Sequence, residues 1–400
     1  MNAPLKFENP VEHIRAYHGE LTEVRRDIHA HPELGFNENR TSDLVAAKLQ
    51  SWGIEVHRGI AKTGLVGVVK GRKSASGRAV GLRADMDCLP MHELGQVPHK
   101  SVHPGCMHAC GHDGHTTMLL GAARYLAETR NFDGTAFLIF QPAEEGGGGG
   151  RMMVEEGLFD RFPADEIYGL HNWPLLAPGK IAVRAGPILA ATDQIQIKVR
   201  GKGGHGAMPH LAVDPVVISA HIITALQTIA SRNVSPVDSV VVSVCSMQTS
   251  QVGASNVIPD AVELVGTVRS FREETRELAE KRLREIATGV AAVLGGTAEV
   301  VYRRGYPATV NSEREAGFAA KVGERIFGKD NVVTDGEPSM GAEDFAYMLQ
   351  ARPGAYVLLG QGGSDLGCFL HNPVYDFNDQ VIPLGAGYLA ALVEEALPVI

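Results

Sequence analysis

The chain changes its pattern of elements twice, and that change constrains the fold more than any single motif. From Val11 to His171, helical stretches alternate with short apolar runs. Ile14, Leu21, Val24 and Ile28 fall at helical spacing with Pro32 as a stop, and further helices are expected at Thr41 to Trp52 and Thr116 to Glu128. Strands are expected at Leu65 to Val69, Ala79 to Leu82, Thr135 to Phe140 and Glu166 to Leu170. This alternation predicts an α/β fold, a sheet with helices on both faces. From Thr192 the pattern becomes strand (Asp193 to Val199), helix (Val213 to Ala230), two strands (Ser239 to Val244, Val262 to Val268), helix (Glu273 to Leu294) and strand (Ala298 to Tyr302). The order β-α-β-β-α-β is the split ferredoxin-like unit and implies an inserted α+β domain. The first pattern then returns with a helix at Glu313 to Phe327, a strand at Tyr356 to Leu359 and a helix at Gly385 to Ala396. The expected boundaries are residues 1–190 and 305–400 for the main domain and 191–304 for the insert, a mixed sheet sandwiched by helices carrying a smaller second core.

Bulk properties bear on the expected partners and location. A net charge of -9 gives no electrostatic footprint for nucleic acid or an anionic membrane, and neither partner is expected. No window approaches the roughly 18 consecutive apolar residues of a membrane helix, and Met1 to Val11 lack the basic and apolar regions of a leader, so a cytoplasmic location is expected. The five cysteines are odd in number and scattered, which fits reduced thiols.

The polar residues fall where such a sheet binds ligands. Asp85, the pair Glu144 and Glu145, and His171 each follow an expected strand, and His371 lies beyond another. In open α/β sheets, ligands sit outside the carboxyl ends of the strands, so separate segments point at one site. Cys110 and His112 lie in Met107 to His115, with glycines at 111 and 114 that let the backbone bend closely around an ion. By itself that stretch also reads as a His-rich surface segment. Taken together, Cys110, His112, Glu145, His171 and His371 offer more ligands than one tetrahedral zinc takes, and they suit two divalent ions about 3.5–4 Å apart. Adjacent side chains at a strand end point in different directions, so one of Glu144 and Glu145 can bind metal while the other acts as general base. The glycines 146–150 lack the ending of a phosphate loop and are expected to pack close to the site. His115 is either an orienting residue or a satisfied core histidine, and His29 and His31 read as structural. Cys88, Cys106, Cys245 and Cys368 are expected to pack as small hydrophobes.

These motifs resemble a known family. Arg26-Asp-Ile-His-Ala-His-Pro-Glu-Leu34, Arg83-Ala-Asp-Met-Asp87, His108-Ala-Cys-Gly-His-Asp113, Gln141-Pro-Ala-Glu-Glu145, Gly204-His-Gly-Ala-Met-Pro209, Asn256-Val-Ile-Pro259, Gly341-Ala-Glu-Asp-Phe345 and Leu370-His-Asn-Pro373 span nearly the whole chain. In number and order they are similar to the aminoacylase, carboxypeptidase G and hippurate hydrolase superfamily of co-catalytic metallopeptidases. The match is to its amidohydrolase branch, which includes plant auxin-conjugate hydrolases. The resemblance implies a catalytic domain interrupted by a lid or dimerisation domain, with Cys110, His112, Glu145, His171 and His371 as metal ligands and Glu144 as base. It further implies that His205 stabilises the oxyanion, in its own or a partner subunit, and that Asn256 and Arg269 hold the substrate carbonyl and carboxylate. A guanidinium fork suits a carboxylate, although Arg269 also reads as a surface charge. Asp85 and Asp87 lie where the broader superfamily has a ligand His followed by an Asp.

The implied activity is hydrolysis of small N-acyl amino acids, hippurate first among them, with two divalent ions (Zn, Mn, Co or Ni) per subunit and a homodimer or dimer-based oligomer. The alternatives are a dipeptidase or aminopeptidase on the same scaffold, a thiol hydrolase with Cys110 as nucleophile, and a catalytically silent binding protein.

Overall fold

The computed structural model describes residues 9–251, 253–363 and 369–399. The chain divides into two units, one made of Met1–Ile188, Val310–Glu337 and Asp344–Ile400, the other of Leu189–Thr309 and Pro338–Glu343. The return of Pro338–Glu343 to the second unit carries no periodic signal in the sequence. It is held there by backbone pairing, with the Ala190 N–H donating to the Gly341 carbonyl at 2.8 Å.

The first unit is built on an eight-stranded mixed sheet. Its centre runs Thr135–Gln141, Ala79–Asp85, Glu166–Trp173 and Gly354–Gly360, all parallel. Every residue of Ala79–Asp85 and Gly354–Gly360 is buried, as strands covered on both faces require. Antiparallel strands Gly64–Lys70 and Glu55–Ile60 extend one side, and the short Ile181–Ala182 and Val332–Val333 extend the other. Glu55–Ile60 escapes a pattern reading because its burial is that of an edge strand, with a single fully buried residue. The expected first helix is two, Pro10–Arg15 and His18–Ala30, and the helix expected from Thr116 begins at His112 and runs to Thr129. That last helix packs against Ile382–Ala396, and both lie almost wholly in the main core. Among the described residues no helix is long and apolar enough to cross a membrane.

The second unit is a four-stranded antiparallel sheet, ordered Val240–Thr249, Ala261–Ser270, Ala191–Arg200, Thr297–Arg304. Numbered along the chain this is 2-3-1-4, the ferredoxin-like order. Alternate residues Ile195, Ile197 and Val199 face a core shared with Ile218, Ile222, Leu283 and Ala287 of helices Pro215–Leu226 and Glu273–Val293. The helical stretch beyond Leu226 is one wide turn, Ile229–Asn233, in place of continued α-helix. Two cysteines depart from expectation, since Cys245 is exposed and Cys106 only half-buried; Cys368 lies outside the described residues.

The helix pair in the main core encloses a carboxyl group. Glu394 is buried, with the Tyr125 hydroxyl 3.1 Å from its Oε1, and burial lifts its pKa to about 7. The folded state therefore keeps a proton that the unfolded chain releases near 4.5, so stability falls as pH rises through that interval and levels off above it. Glu394→Gln should flatten this slope. Urea midpoints at pH 5 and pH 8 are expected to differ more in the wild type than in the variant, and equal differences would contradict the assignment.

Candidate metal centre

Parallel pairing brings the expected site residues together. Asp85 lies opposite Gln141, and Leu358 opposite His171, so the carboxyl ends of all four central strands face one edge. His171 lies inside its strand, which continues to Trp173, and not at its end as the apolar run suggested. After Gln141 the chain turns through Ala143, at φ 52, and delivers Glu144 and Glu145. A left-handed backbone at alanine needs restraint. It comes from Glu38, whose Oε1 accepts the Ala143 N–H at 2.8 Å while its Oε2 accepts the Thr63 hydroxyl at 2.5 Å. Gly147 and Gly149 close over the same turn, because a Cβ on either would strike Ala143 or the Pro142 carbonyl.

Gly111 precedes the helix at φ 94, and a Cβ there would lie 2.4 Å from Asn172 Oδ1. That bend sets Cys110 before the helix and His112 on its first turn. His371, also at positive φ (61), is tied by its N–H to the Ala109 carbonyl at 2.8 Å. Cys110 Sγ is 3.5 Å from His171 Nε2, and His371 Nε2 is 3.3 Å from Glu145 Oε1. Cys110, His112 and His171 form one ligand group, Cys110, Glu145 and His371 a second, and His112, Glu144 and Glu145 a third, with ligand atoms within 4.8 Å in each. All five expected ligands and the expected base thus share one cluster. Cys110, His112, Glu144 and His171 are buried, whereas the His371 side chain is 54% exposed.

Two aspartates organise the cluster from behind. Asp87 accepts the Glu144 N–H at 3.0 Å and the Glu145 N–H at 2.9 Å, and its Oδ1 lies 3.3 Å from His112 Nδ1. Asp85 is held by Arg83 at 2.8 Å and by His115 Nδ1 at 2.6 Å. His115 Nε2 is itself 2.6 Å from Asn172 Oδ1, so both ring nitrogens are engaged and the residue orients its neighbours. Asp113, beside His112, is anchored by His29 at 2.8 Å, a structural role for that histidine. His31 pairs with Asp27 on its own helix.

The electrostatics favour a cation. Burial, then Glu145, Glu144 and Asp85, push the Cys110 thiol well above its ordinary range. A thiol kept protonated is a poor nucleophile, while the same carboxylates attract a divalent ion beside which it ionises. Burial works against charge on His112, but Asp85, Asp87 and Glu145 outweigh it and lift the ring to about 10. Burial and His115 lower His171 well below its usual value. Its Nδ1 lies 2.7 Å from the Asn172 carbonyl, which can only accept, so Nδ1 carries the proton and Nε2 presents a lone pair beside Cys110.

The remaining expected residues lie in the second unit. Gly204–His205 pairs with Val257–Ile258, His205 opposite Val257, and the Gly206 N–H donates to the Asn256 carbonyl at 2.7 Å. His205 Nδ1 accepts the Ala207 N–H at 3.0 Å, which leaves the Nε2–H as an outward donor on an exposed ring. Arg269 lies on a different sheet, opposite Thr192 and Val241, half-buried near Asp193. The structure thus joins His205 with Asn256 and places Arg269 apart from that pair.

The family model described as Peptidase family M20/M25/M40 matches residues 81–395. The chain belongs to that family. Hippurate hydrolase of Campylobacter jejuni is 42% identical over 384 residues, covering 96% of this chain and 98% of that protein. IAA-amino acid hydrolase ILR1-like 4 of Arabidopsis thaliana is 40% identical over 383 residues, 94% of this chain and 85% of that one. Among solved structures, the Bacillus subtilis YXEP protein, a dinuclear metal binding peptidase of the M20 family, superposes with a TM-score of 0.83. It is 34% identical and covers 96% of this chain and 100% of its own.

For an M20 member the question is whether these residues suit metal. The contacts of His112 Nδ1 with Asp87 at 3.3 Å and of Glu145 Oε1 with His371 at 3.3 Å are ion-pair contacts short of good hydrogen-bond geometry, and the buried His112 Nε2 has no hydrogen-bond partner among the described residues. Buried polar atoms left so cost free energy unless an ion meets them, and a divalent ion would take the place of the proton on His112. The donor set of one thiolate, three imidazoles and a carboxylate fits two ions of zinc type. Sequence reasoning missed Glu38, Asn172 and the backbone-holding role of Asp87. Only Asp87 left a signal, the Asp-x-Asp spacing that sends both side chains to one side of extended chain. Wild type is expected to hold two divalent ions per chain after dialysis, and Cys110→Ala and His371→Ala fewer, by elemental analysis. Two ions retained in both variants would contradict the ligand set.

Proposed function

We infer that the chain is a metal-dependent amidohydrolase that cleaves the amide bond of N-acyl amino acids, releasing a carboxylic acid and a free amino acid. The observation that carries this is the pairing of Glu144 with Glu145: one carboxylate sits among the ligand atoms of Cys110 and His371, the other beside it on a turn fixed by Asp87 and Glu38. The relatives named for hippurate and for IAA-amino acids act on substrates of this class.

Cys110, His112, Glu145, His171 and His371 would hold two divalent ions, whose identity among Zn, Mn, Co and Ni depends on cellular supply. When bound, such ions lower the pKa of a water toward about 7 and polarise the scissile carbonyl. Glu144 takes the proton of the attacking water on its carboxylate and later delivers it to the leaving nitrogen. Asp87 keeps that carboxylate aimed by holding its backbone N–H. His205 donates from Nε2 to the developing oxyanion, in its own subunit or a partner's. Asn256 contacts the substrate carbonyl, and Arg269 the free carboxylate through its guanidinium fork. The second unit acts as lid and as the contact of a homodimer, and the enzyme works in the cytoplasm.

Glu144→Gln keeps size and hydrogen bonding but cannot accept the proton. It should lower kcat on hippurate by about 10²- to 10⁴-fold with metal content unchanged. Full turnover in that variant would rule out Glu144 as base. Free dipeptides assayed beside benzoyl and acetyl amino acids separate this reading from a dipeptidase or aminopeptidase, which would prefer the former.

A further inference from the structure

We propose that Trp173 and Phe369 form the subsite for an aromatic acyl group of the substrate, a proposal that rests on the amidohydrolase reading above. Each aromatic lies two residues from a residue of the metal cluster. His171 and Trp173 share one side of the strand Glu166–Trp173, since alternate residues of a strand face the same way. Their ring centroids are 6.5 Å apart at 78°. Phe369 precedes His371 by two, and its ring meets Trp173 edge to face, with centroids 5.7 Å apart at 82°.

Among the described residues the pair stands outside the main core cluster. Leu370, between Phe369 and His371, packs against the main hydrophobic core, but Trp173 and Phe369 are absent from that cluster. Phe369 is 37% exposed and Trp173 half-buried. Two large rings left partly bare beside a buried ionic cluster waste apolar area unless something covers them. The surrounding groups of that cluster are a thiol, imidazoles and carboxylates, so the aromatic pair is its apolar wall, and ligand sites combine such a wall with a few polar groups. The backbone at Trp173 is held: its carbonyl accepts the Leu176 N–H at 3.1 Å and the Gln361 N–H at 3.3 Å. An edge-to-face corner offers a third ring the same favourable geometry, whereas an acetyl methyl covers little of it. The acyl part of the substrate is the occupant because the scissile carbonyl must reach the ions held by His171 and His371.

The test compares ligands with and without a ring. Benzoate and acetate, the two acyl products, are titrated calorimetrically against the metal-loaded wild type, Trp173→Leu and Phe369→Leu. Benzoate should bind at least about tenfold tighter than acetate in the wild type, and that margin should shrink toward parity in each variant. In turnover, the ratio of kcat/KM for hippurate over N-acetylglycine should fall about tenfold or more in either variant. Metal content is measured in each, so that loss of His171 as a ligand is seen separately. Equal losses on both substrates, or an unchanged ratio, would overturn the subsite. Turnover without a benzoate preference in the wild type overturns it as well. A benzoate preference that the variants abolish, in a protein that hydrolyses neither amide, supports the subsite and overturns the hydrolytic reading instead.

Discussion

The carboxylate of Asp87 joins the pieces on which the site depends. It accepts two successive backbone N–H groups, those of Glu144 and Glu145, and lies against the His112 ring. One charged group thereby fixes the turn after strand Thr135–Gln141 relative to the end of strand Ala79–Asp85 and the start of helix His112–Thr129. Hydrogen bonds to a charged acceptor are stronger than neutral ones, and here they are spent on orientation at the point where two adjacent carboxylates must diverge. Glu38 restrains the same turn from its other side.

Such an arrangement is costly without a counter-charge. Asp85, Asp87 and Glu144 are almost fully buried with Cys110, and Arg83 at 2.8 Å and the His112 ring at 3.7 Å are buried cationic groups beside Asp85. Burying like charges together is unfavourable, and proteins tolerate it where pairing or a metal ion offsets the desolvation. The buried His112 Nε2, without a hydrogen-bond partner among the described residues, belongs to the same imbalance. Arg83 also bonds Gln141 and Asp344, and Asp344 in turn accepts the Gly150 N–H, so the network behind the site is closed by hydrogen bonds.

Much of this was legible in the sequence because it follows from local pattern. Continuous apolar runs marked the central strands, and residues just beyond them had to gather at one edge once the strands were parallel. The change of pattern at Thr192 exposed the inserted unit, whose strand order then appeared in the sheet. What stayed hidden depends on contacts between distant segments. Glu38 meets Ala143 across 105 positions, and Asn172 meets Tyr375 across 203, with no periodicity to announce either. The helix start at His112 was displaced by glycines that read as loop, although Gly111 is the bend that begins the helix. The exposed Cys245 sits on a strand at the border of its sheet, where a small residue need not be covered.

The most direct test of the account is X-ray absorption at the zinc edge on protein loaded with two equivalents of zinc. The account predicts sulfur scattering near the ~2.3 Å of a zinc–thiolate bond from Cys110, together with a metal–metal vector of about 3.5–4 Å. A shell of nitrogen and oxygen alone, with no second metal, would contradict it.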